Sequence, residues 1–406
     1  SIILYEIEEG HFSIVKFYAR RAKRILPALI IVTLFTTTFA WVLMLPDEFQ
    51  TFSKSLVYLS FFFSNLFFWK HTGYFDLSNE MHPLLHTWSL AVEEQFYIIF
   101  PIFLLATIGI LKFKNKTIIG LLILASISSL LLAEWGSINA PTANLYLLPT
   151  RAWELFGGAL LAFFSIGQIG KSSYLKSEIF SFIGLALIIF SMLTFTYETP
   201  YPSFLTVLPV TGTILFIAFS EKSTIATFWL KHKSIVFVGV ISYSLYLWHQ
   251  PILVLARYYF NSELPKEIIP ILLFSTLLLS YFSWKYVEQP SRTSSVSNQK
   301  VLTFSAFVLV ALAVLGLIAP ESQKKMLTKN QKRIFDAAMR ANNQEQVVSS
   351  KKLRKFDVRY QLSSTCTLDA NAKIPQNFFK QCLIPSARIF LWGDSHAAAL
   401  SQGIYS

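Results

Sequence analysis

Charged residues are scarce in this chain of 406 residues. They make up 14% of the sequence against 53% hydrophobic residues, and the mean hydropathy is +0.49. These values lie far from the averages of soluble domains, so they exclude an ordinary soluble protein. The sequence also lacks a P-loop and a dinucleotide-binding fingerprint, which excludes the two kinds of nucleotide-binding site that these motifs form.

Long hydrophobic runs are present instead. A membrane-crossing helix needs about 20 residues, and about nine runs are long enough and nearly free of charge. We therefore predict an all-α polytopic membrane bundle with about nine complete spans. Residues 1–5 are expected to be the end of a partial N-terminal helix that starts before the chain does. The predicted spans are 25–45, 86–111, 117–133, 144–166, 179–197, 203–220, 234–258, 267–287 and 301–319.

A shorter hydrophobic run at 55–69 has only about 15 residues, so it either crosses as a short helix or enters the membrane and returns. Basic loops distinguish the two. If the stretch from Arg20 to Arg24 is cytoplasmic and 55–69 does not cross, the later basic loops are cytoplasmic too, as the positive-inside rule requires. We therefore predict a non-crossing segment. The net charge of +12 then reflects loop residues that meet anionic lipid head groups, and no nucleic-acid partner is needed.

The same topology places the C-terminal part outside the cytoplasm. We predict a transmembrane domain at 1–319, a polar connector at 320–360 and the start of an external domain at 361–406. The chain's two cysteines, Cys366 and Cys382, both lie in that external domain. They either pair as a disulfide in an oxidising compartment or remain free thiols.

Ionisable side chains occur inside three of the predicted spans. Glu93 and Glu94 lie within a hydrophobic run, where a carboxylate is costly unless it is solvated, paired or protonated, so the pair marks a functional site. Arg151, Glu154 and His249 lie at similar depth in two other spans. Arg151 and Glu154 either neutralise each other or contact substrate. His249 is either a site residue or an interfacial residue beside an aromatic belt.

Helical spacing places polar residues on shared faces. One face of their helix is shared by His86, Ser89, Glu93 and Tyr97, and a face of another helix is shared by Ser242, Tyr246 and His249. We expect these faces to line a polar cavity. Because neighbouring helical residues are about 100° apart, one glutamate of the pair faces this cavity and the other faces a partner helix. Two histidines with i, i+4 spacing precede the glutamates, but no third ligand stands nearby, so no metal site is predicted.

Arg20, Arg21 and Arg24 lie just before Pro27, which suits the first turn of a helix. The arginines either orient the helix in the membrane or form an anion site. Guanidinium groups match phosphates, and a helix start adds its own partial positive charge. A phosphate-rich donor such as coenzyme A would fit such a site.

The last motif is Gly393-Asp394-Ser395-His396, which follows a short apolar stretch. A strand that leads into a tight turn exposes a serine for attack on a carbonyl group. After the His396 of this motif, no His or Asp occurs before the chain ends at Ser406, so we expect the external domain to be incomplete here.

In combination, these motifs resemble the acyltransferase 3 family of bacterial membrane proteins. The similar branch carries a C-terminal SGNH hydrolase-like domain and includes O-antigen acetylases. The stretches that carry the resemblance are 17–27, 86–97, 146–157, 241–251 and 392–397.

The resemblance implies a membrane O-acyltransferase in the bacterial inner membrane, with its C-terminal domain periplasmic or extracellular. The donor would be acetyl-coenzyme A from the cytoplasm, with no bound cofactor. The acceptor would be a hydroxyl of a glycan or lipid-linked glycan such as lipopolysaccharide O-antigen. The predicted catalytic residues are Glu93, Glu94, His249 and Ser395. The predicted substrate-binding residues are Arg20, Arg21, Arg24, His86, Ser89, Arg151, Glu154 and Tyr246.

The family also has an Arg and a His in its first transmembrane helix, and the His is the expected acyl-transfer base. This chain begins after that helix, so we expect the fragment alone to be inactive. A transporter or flippase of a polar lipid-linked glycan is the alternative, because intramembrane carboxylates also occur in proton-coupled carriers. No inverted repeat is visible to support it.

Overall fold

The computed structural model describes most of the chain up to residue 326. Residues 1–321 form one compact unit. The described part is helical, without a strand. Most of the connector, the external domain, Cys366, Cys382 and Ser395 lie outside the described residues, so those assignments stay predictions. The described residues are 2–71, 79–165, 174–196, 198–221, 225–228, 230–260 and 264–326.

Fourteen α-helices follow one another in the described residues. Two π-helical turns extend helices of the bundle, at Leu105–Ile110 and Trp284–Glu288, and short 3-10 turns occur at Asn79–Met81, Phe204–Thr206 and Lys266–Ile268. The α-helices are α1 Ile2–Glu8, α2 Ile14–Leu43, α3 Pro46–Ser60, α4 Ser64–Lys70, α5 Thr87–Leu104, α6 Asn115–Asn139, α7 Pro141–Tyr146, α8 Leu148–Ser165, α9 Tyr174–Thr194, α10 Val207–Phe219, α11 Lys233–Tyr259, α12 Ile269–Ser283, α13 Gln289–Thr293 and α14 Asn298–Met326.

Seven helical segments in the described part are long and apolar enough to cross a membrane. All nine predicted spans are helical, which confirms the all-α polytopic fold. The two that fall outside the seven are α8, whose hydropathy is lowered by Arg151 and Glu154, and the segment Phe204–Phe219, which is shorter than 18 residues. The seven are Ile14–Leu43, Thr87–Ile110, Asn115–Asn139, Tyr174–Thr194, Lys233–Tyr259, Lys266–Thr293 and Asn298–Gln323.

The run at 55–69 is two helices rather than one span. α3 ends at Ser60, and Phe62 has a positive φ of 56° before α4 begins. The hydroxyl of Ser64 donates to the carbonyl oxygen of Thr87 at 2.8 Å, so α4 returns to the start of α5. Because α3 has 15 residues and α4 only 7, neither reaches the about 20 that a crossing needs. The non-crossing prediction is confirmed.

Side-chain contacts fix the directions of the central helices. Near the start of α2, Tyr18 donates to the carbonyl oxygen of Ile98 in α5 at 3.0 Å, and Arg21 contacts Glu94. Because the later residue of α2 contacts the earlier residue of α5, the two helices are antiparallel. Tyr243 of α11 donates to the carbonyl oxygen of Ile25 at 2.8 Å. We name the end of the bundle that carries Arg20, Arg21 and Arg24 the arginine end. α2 and α11 both run away from it, and α5 runs towards it.

Apolar packing holds α2, α3 and α11 together. Leu29, Phe49, Phe52 and Leu247 are at most 2% exposed and belong to the largest buried cluster. The rings of Trp248 and Phe35 meet edge to face at 4.9 Å. This core holds the polar face of α11 in a fixed rotation.

Helices α9 and α10 approach closely through two glycines. A Cβ atom on Gly184 would lie 2.6 Å from the carbonyl oxygen of Gly212, and one on Gly212 would lie 2.8 Å from that of Gly184. Small residues of this kind let membrane helices pack backbone against backbone.

We therefore expect Gly184→Ala to separate α9 from α10 and to destabilise the protein by about 1–3 kcal/mol, as overpacking does. Thermal unfolding in detergent measures the change. Gly158→Ala is the matched control, because Gly158 lies inside α8 with no neighbouring atom within 4 Å of the added Cβ. An equal loss of stability in both variants would contradict this account of the α9–α10 contact.

Candidate functional site

The most tightly bonded ion pair of the site joins α2 to α5. Arg21 contacts Glu94 through two hydrogen bonds, Nη2 to Oε1 at 2.6 Å and Nε to Oε2 at 3.4 Å. The side chains are 21% and 11% exposed. The guanidinium carbon of Arg21 also lies 3.3 Å from the centre of the Tyr97 ring, a cation–π contact. Glu94 is thus the glutamate of the pair that faces a partner helix.

Arg20 is also engaged by a carboxylate. Its two terminal nitrogens donate to the two oxygens of Glu6 in α1 at 2.9 and 3.2 Å. The hydrogen bond from Arg20 is the main cause that holds the pKa of Glu6 below its usual value. Arg20 therefore ties α1 to α2, and much of its capacity for hydrogen bonds is already used.

Arg24 and Glu93 remain without such partners. Both are exposed, and neither makes a hydrogen bond or ion pair with another described residue. The charged neighbours of Glu93 are Glu94, Arg21 and Arg24. The structure thus leaves one arginine and one glutamate, close enough to interact electrostatically, that are accessible to a ligand.

The polar faces of α5 and α11 meet, as their spacing predicts. Tyr246 donates its hydroxyl proton to the carbonyl oxygen of His86 through a short hydrogen bond. The hydroxyl of Ser89 lies 3.0 Å from that of Tyr246. Glu93 is also a charged neighbour of Tyr246. These contacts place His86, Ser89, Glu93 and Tyr246 in one polar region between two spans.

His249 lies one turn beyond Tyr246 on α11, farther from the arginine end. Its Nδ1 is 2.6 Å from the carbonyl oxygen of Tyr246. Because a carbonyl oxygen can only accept, Nδ1 carries a proton. In the neutral ring this leaves Nε2 with a lone pair and no hydrogen-bond partner among the described residues. His249 is therefore oriented as a base.

The His86 ring stands next to that of His249, with 5.5 Å between the ring centres. His86 is buried, and neither of its ring nitrogens has a hydrogen-bond partner in the part of the chain that the structure describes. A buried polar group without a partner is costly and calls for a functional explanation.

Arg151 and Glu154 form a separate group on α8. They pair at 3.0 Å, and their side chains are 12% and 19% exposed. The guanidinium carbon of Arg151 lies 4.6 Å from the ring centre of Tyr201 and 5.3 Å from that of Trp88. The charges of Arg151 and Glu154 therefore neutralise each other, which is one of the two interpretations given by the sequence. One nitrogen of Arg151 and one oxygen of Glu154 are buried and stay unpaired among the described residues.

Two polar contacts had escaped the sequence analysis. The side-chain amides of Asn65 and Gln95 bond at 2.8 Å, and Asn65 also donates to the carbonyl oxygen of Tyr146 at 3.1 Å, which joins α4, α5 and α7. Glu288, only 2% exposed, accepts from Ser244 at 3.3 Å. In the sequence, these contacts could have been found from the two amide side chains inside hydrophobic runs and from the glutamate at the end of a span.

Among the described residues, no three His, Asp or Glu side chains converge as metal ligands would.

Comparisons with known proteins identify the family to which the chain is similar. A family model described as an acyltransferase domain matches residues 7–285. The chain is 30% identical over 323 residues to the O-acetyltransferase OatA of Staphylococcus aureus strain MRSA252, which covers 75% of the chain and 53% of the relative. It is 28% identical over 334 residues to the putative O-acetyltransferase SACOL0978 of strain COL, which covers 78% and 54%. The chain thus spans about half the length of these relatives. No solved structure matches it.

The different environments of the two glutamates predict different effects on stability. Glu94→Gln removes the charge that neutralises Arg21, and breaking a buried ion pair costs about 3 kcal/mol or more. Glu93→Gln removes an exposed charge and should leave the free energy of unfolding nearly unchanged. Thermal unfolding of both variants in detergent compares them directly. A larger loss of stability in Glu93→Gln than in Glu94→Gln would contradict the assignment.

Proposed function

The chain belongs to the acyltransferase family, whose model covers residues 7–285, and on that basis we propose that the protein is a membrane O-acyltransferase. The donor is a cytoplasmic acyl-coenzyme A, and the acyl group is acetyl, in keeping with the O-acetyltransferase names of the relatives. The acceptor is a hydroxyl of a cell-surface glycan, such as lipopolysaccharide O-antigen, and the membrane is the bacterial inner membrane.

One observation carries the proposal. Arg21 is held by Glu94 and Arg20 by Glu6, so the accessible pair at the arginine end is Arg24 and Glu93. α2 begins at Ile14 and Pro27 lies inside it, so the predicted helix start beside the arginines is wrong and adds no partial positive charge at Arg24. The exposed guanidinium of Arg24 itself suits the phosphates of the donor. An exposed carboxylate next to it suits proton transfer at the thioester. Of the predicted catalytic pair, Glu93 is thus the working group, and Glu94 holds Arg21 in place.

The proposed reaction forms one bond and breaks one. The acceptor hydroxyl oxygen bonds to the carbonyl carbon of the thioester, and the carbon–sulfur bond breaks. The hydroxyl proton goes to a base, and the leaving thiolate takes up a proton to become coenzyme A. Glu93 is placed towards the donor end and the lone pair of His249 Nε2 towards the opposite end, so His249 is our candidate for accepting the hydroxyl proton.

The other predicted residues have supporting roles in this proposal. Ser89 and Tyr246 supply hydroxyl groups between Glu93 and His249. Arg151 and Glu154 are the candidate contacts for the glycan, which would have to expose the buried, unpaired nitrogen and oxygen of this pair. Ser395 stays the predicted nucleophile of an external domain, outside the cytoplasm, that completes or steers delivery of the acyl group.

Acetyl transfer in membrane vesicles that contain the full-length parent protein tests the reaction. Label from acetyl-coenzyme A should appear on endogenous glycan as an alkali-labile ester. Glu93→Gln and His249→Gln should each reduce the rate by about 100-fold or more, because positioned acid–base groups contribute about 10²–10⁴-fold.

Glu80→Gln is the matched control, since Glu80 has a 74% exposed side chain far from this region. Unreduced transfer by Glu93→Gln would remove that residue from the mechanism. If a well-produced protein in acceptor-bearing vesicles leaves the glycan unlabelled, a transporter or flippase of a lipid-linked glycan becomes the better explanation. Such a carrier does not modify its cargo.

The role of Arg24 is tested by donor affinity. Hydrogen bonds to charged groups contribute about 1.5–3 kcal/mol, so Arg24→Ala should raise the Kd for coenzyme A by about tenfold or more. Lys16→Ala is the control, because Lys16 is an exposed cation in the same part of α2. Isothermal titration in detergent measures both. Equal affinities of the Arg24→Ala and Lys16→Ala proteins would refute the phosphate role.

A further inference from the structure

A buried carboxylate at the arginine end is not used in the mechanism above. Glu288 ends the π-helical turn Trp284–Glu288 and is 2% exposed. One of its oxygens accepts from the hydroxyl of Ser244 at 3.3 Å, and the other accepts from Nη1 of Arg292 at 3.2 Å. An ionised group at this depth is tolerated only when it is paired, so Glu288 and Arg292 depend on each other.

The pair is unequal in exposure. The side chain of Arg292 is 46% exposed, whereas that of Glu288 is almost completely buried. A guanidinium has five N–H donors, and the contact with Glu288 uses Nη1 alone. Glu288 therefore holds the guanidinium through one nitrogen, and the remaining donors make no hydrogen bond with another described residue. An arginine that is exposed and paired through only one nitrogen can bind a ligand as well as neutralise Glu288.

Two contacts place Arg292 near Arg24. Lys23, the residue before Arg24, donates to the carbonyl oxygens of Ser294 at 2.7 Å and Val296 at 3.1 Å, and thereby fastens α2 to the segment that follows Arg292. The buried Tyr243 has both Arg24 and Glu288 among its charged neighbours. Both guanidinium groups therefore lie around the same part of α11.

From this arrangement we propose that Arg292 and Arg24 together bind the phosphate groups of the acyl donor, and that Glu288 is the positioning residue that aims Arg292. The inference rests on the proposed function, and it adds a second cation on a different helix. Two planar forks on separate helices can each bind one phosphate group through two parallel hydrogen bonds.

The binding test uses the whole protein in detergent with coenzyme A as the probe. Arg292→Ala should raise the Kd by about tenfold or more, as loss of a charged hydrogen bond does. Glu288→Gln retains Arg292 but removes the carboxylate charge that positions it, so a smaller rise in the Kd is expected. Arg257→Ala is the matched control, since Arg257 lies at the opposite end of α11 and pairs with the exposed Glu80.

Two further measurements separate binding from folding. The double variant Arg292→Ala with Glu288→Gln leaves no buried charge unpaired, so its thermal unfolding should match that of the unaltered protein while its affinity for coenzyme A stays low. Transfer from S-acetylpantetheine, which has the thioester arm and no phosphate, should keep its kcat/KM in the Arg292→Ala variant.

An unchanged Kd in the double variant would overturn the inference, and so would an equal loss of kcat/KM with both donors. If Arg24→Ala weakens coenzyme A binding and Arg292→Ala does not, only this inference fails. If the unaltered protein binds no coenzyme A, the proposed function itself fails.

Discussion

The bidentate contact between Arg21 and Glu94 is the interaction on which the arrangement of the site depends. It joins α2 to α5 near the arginine end, and it fixes the rotation of both helices because a guanidinium fork and a carboxylate meet in one plane. The Tyr97 ring covers the guanidinium and limits its exposure. With this pair in place, the preceding residue on α5, Glu93, must point elsewhere. The accessibility of Glu93 is therefore a geometric consequence of the ion pair beside it.

The same constraint determines how α5 meets α11. Glu93 and Ser89 are four residues apart on α5, so both turn towards the hydroxyl of Tyr246 once Glu94 is bound to Arg21. α11 is held on its other side by the apolar core around Leu247 and Trp248. The polar region is thus bounded by an ion pair on one helix and by hydrophobic packing on the other, and neither helix can rotate without breaking one of them.

Much of this was predictable from the sequence, because a membrane limits the solutions. Each hydrophobic run must satisfy its backbone groups internally, so run length gives the helices, and basic loops give the non-crossing segment at 55–69. Helical spacing also predicted which residues of α5 and α11 share a face. The choice between Glu93 and Glu94 was not predictable, since it depends on a helix rotation that a distant arginine sets. Glu288 was missed because hydropathy places it at a boundary, where a charge looks solvated.

The distribution of polar groups along the bundle distinguishes chemical transfer from transport. The charged groups Arg24, Arg292 and Glu93 gather towards the arginine end, while the groups between Glu93 and His249 are neutral hydroxyls. From Tyr243 to His249 the rise along α11 is only about 9 Å. A carrier would have to pass a whole polar glycan or its charged head group through this layer. In the acyl transfer that we propose, only a small, uncharged acyl group enters this layer, and the phosphates and the sugar each remain on their own side. A thin layer of neutral hydroxyls between the charged arginine end and His249, our proposed base, therefore fits acyl transfer better than transport of a whole glycan.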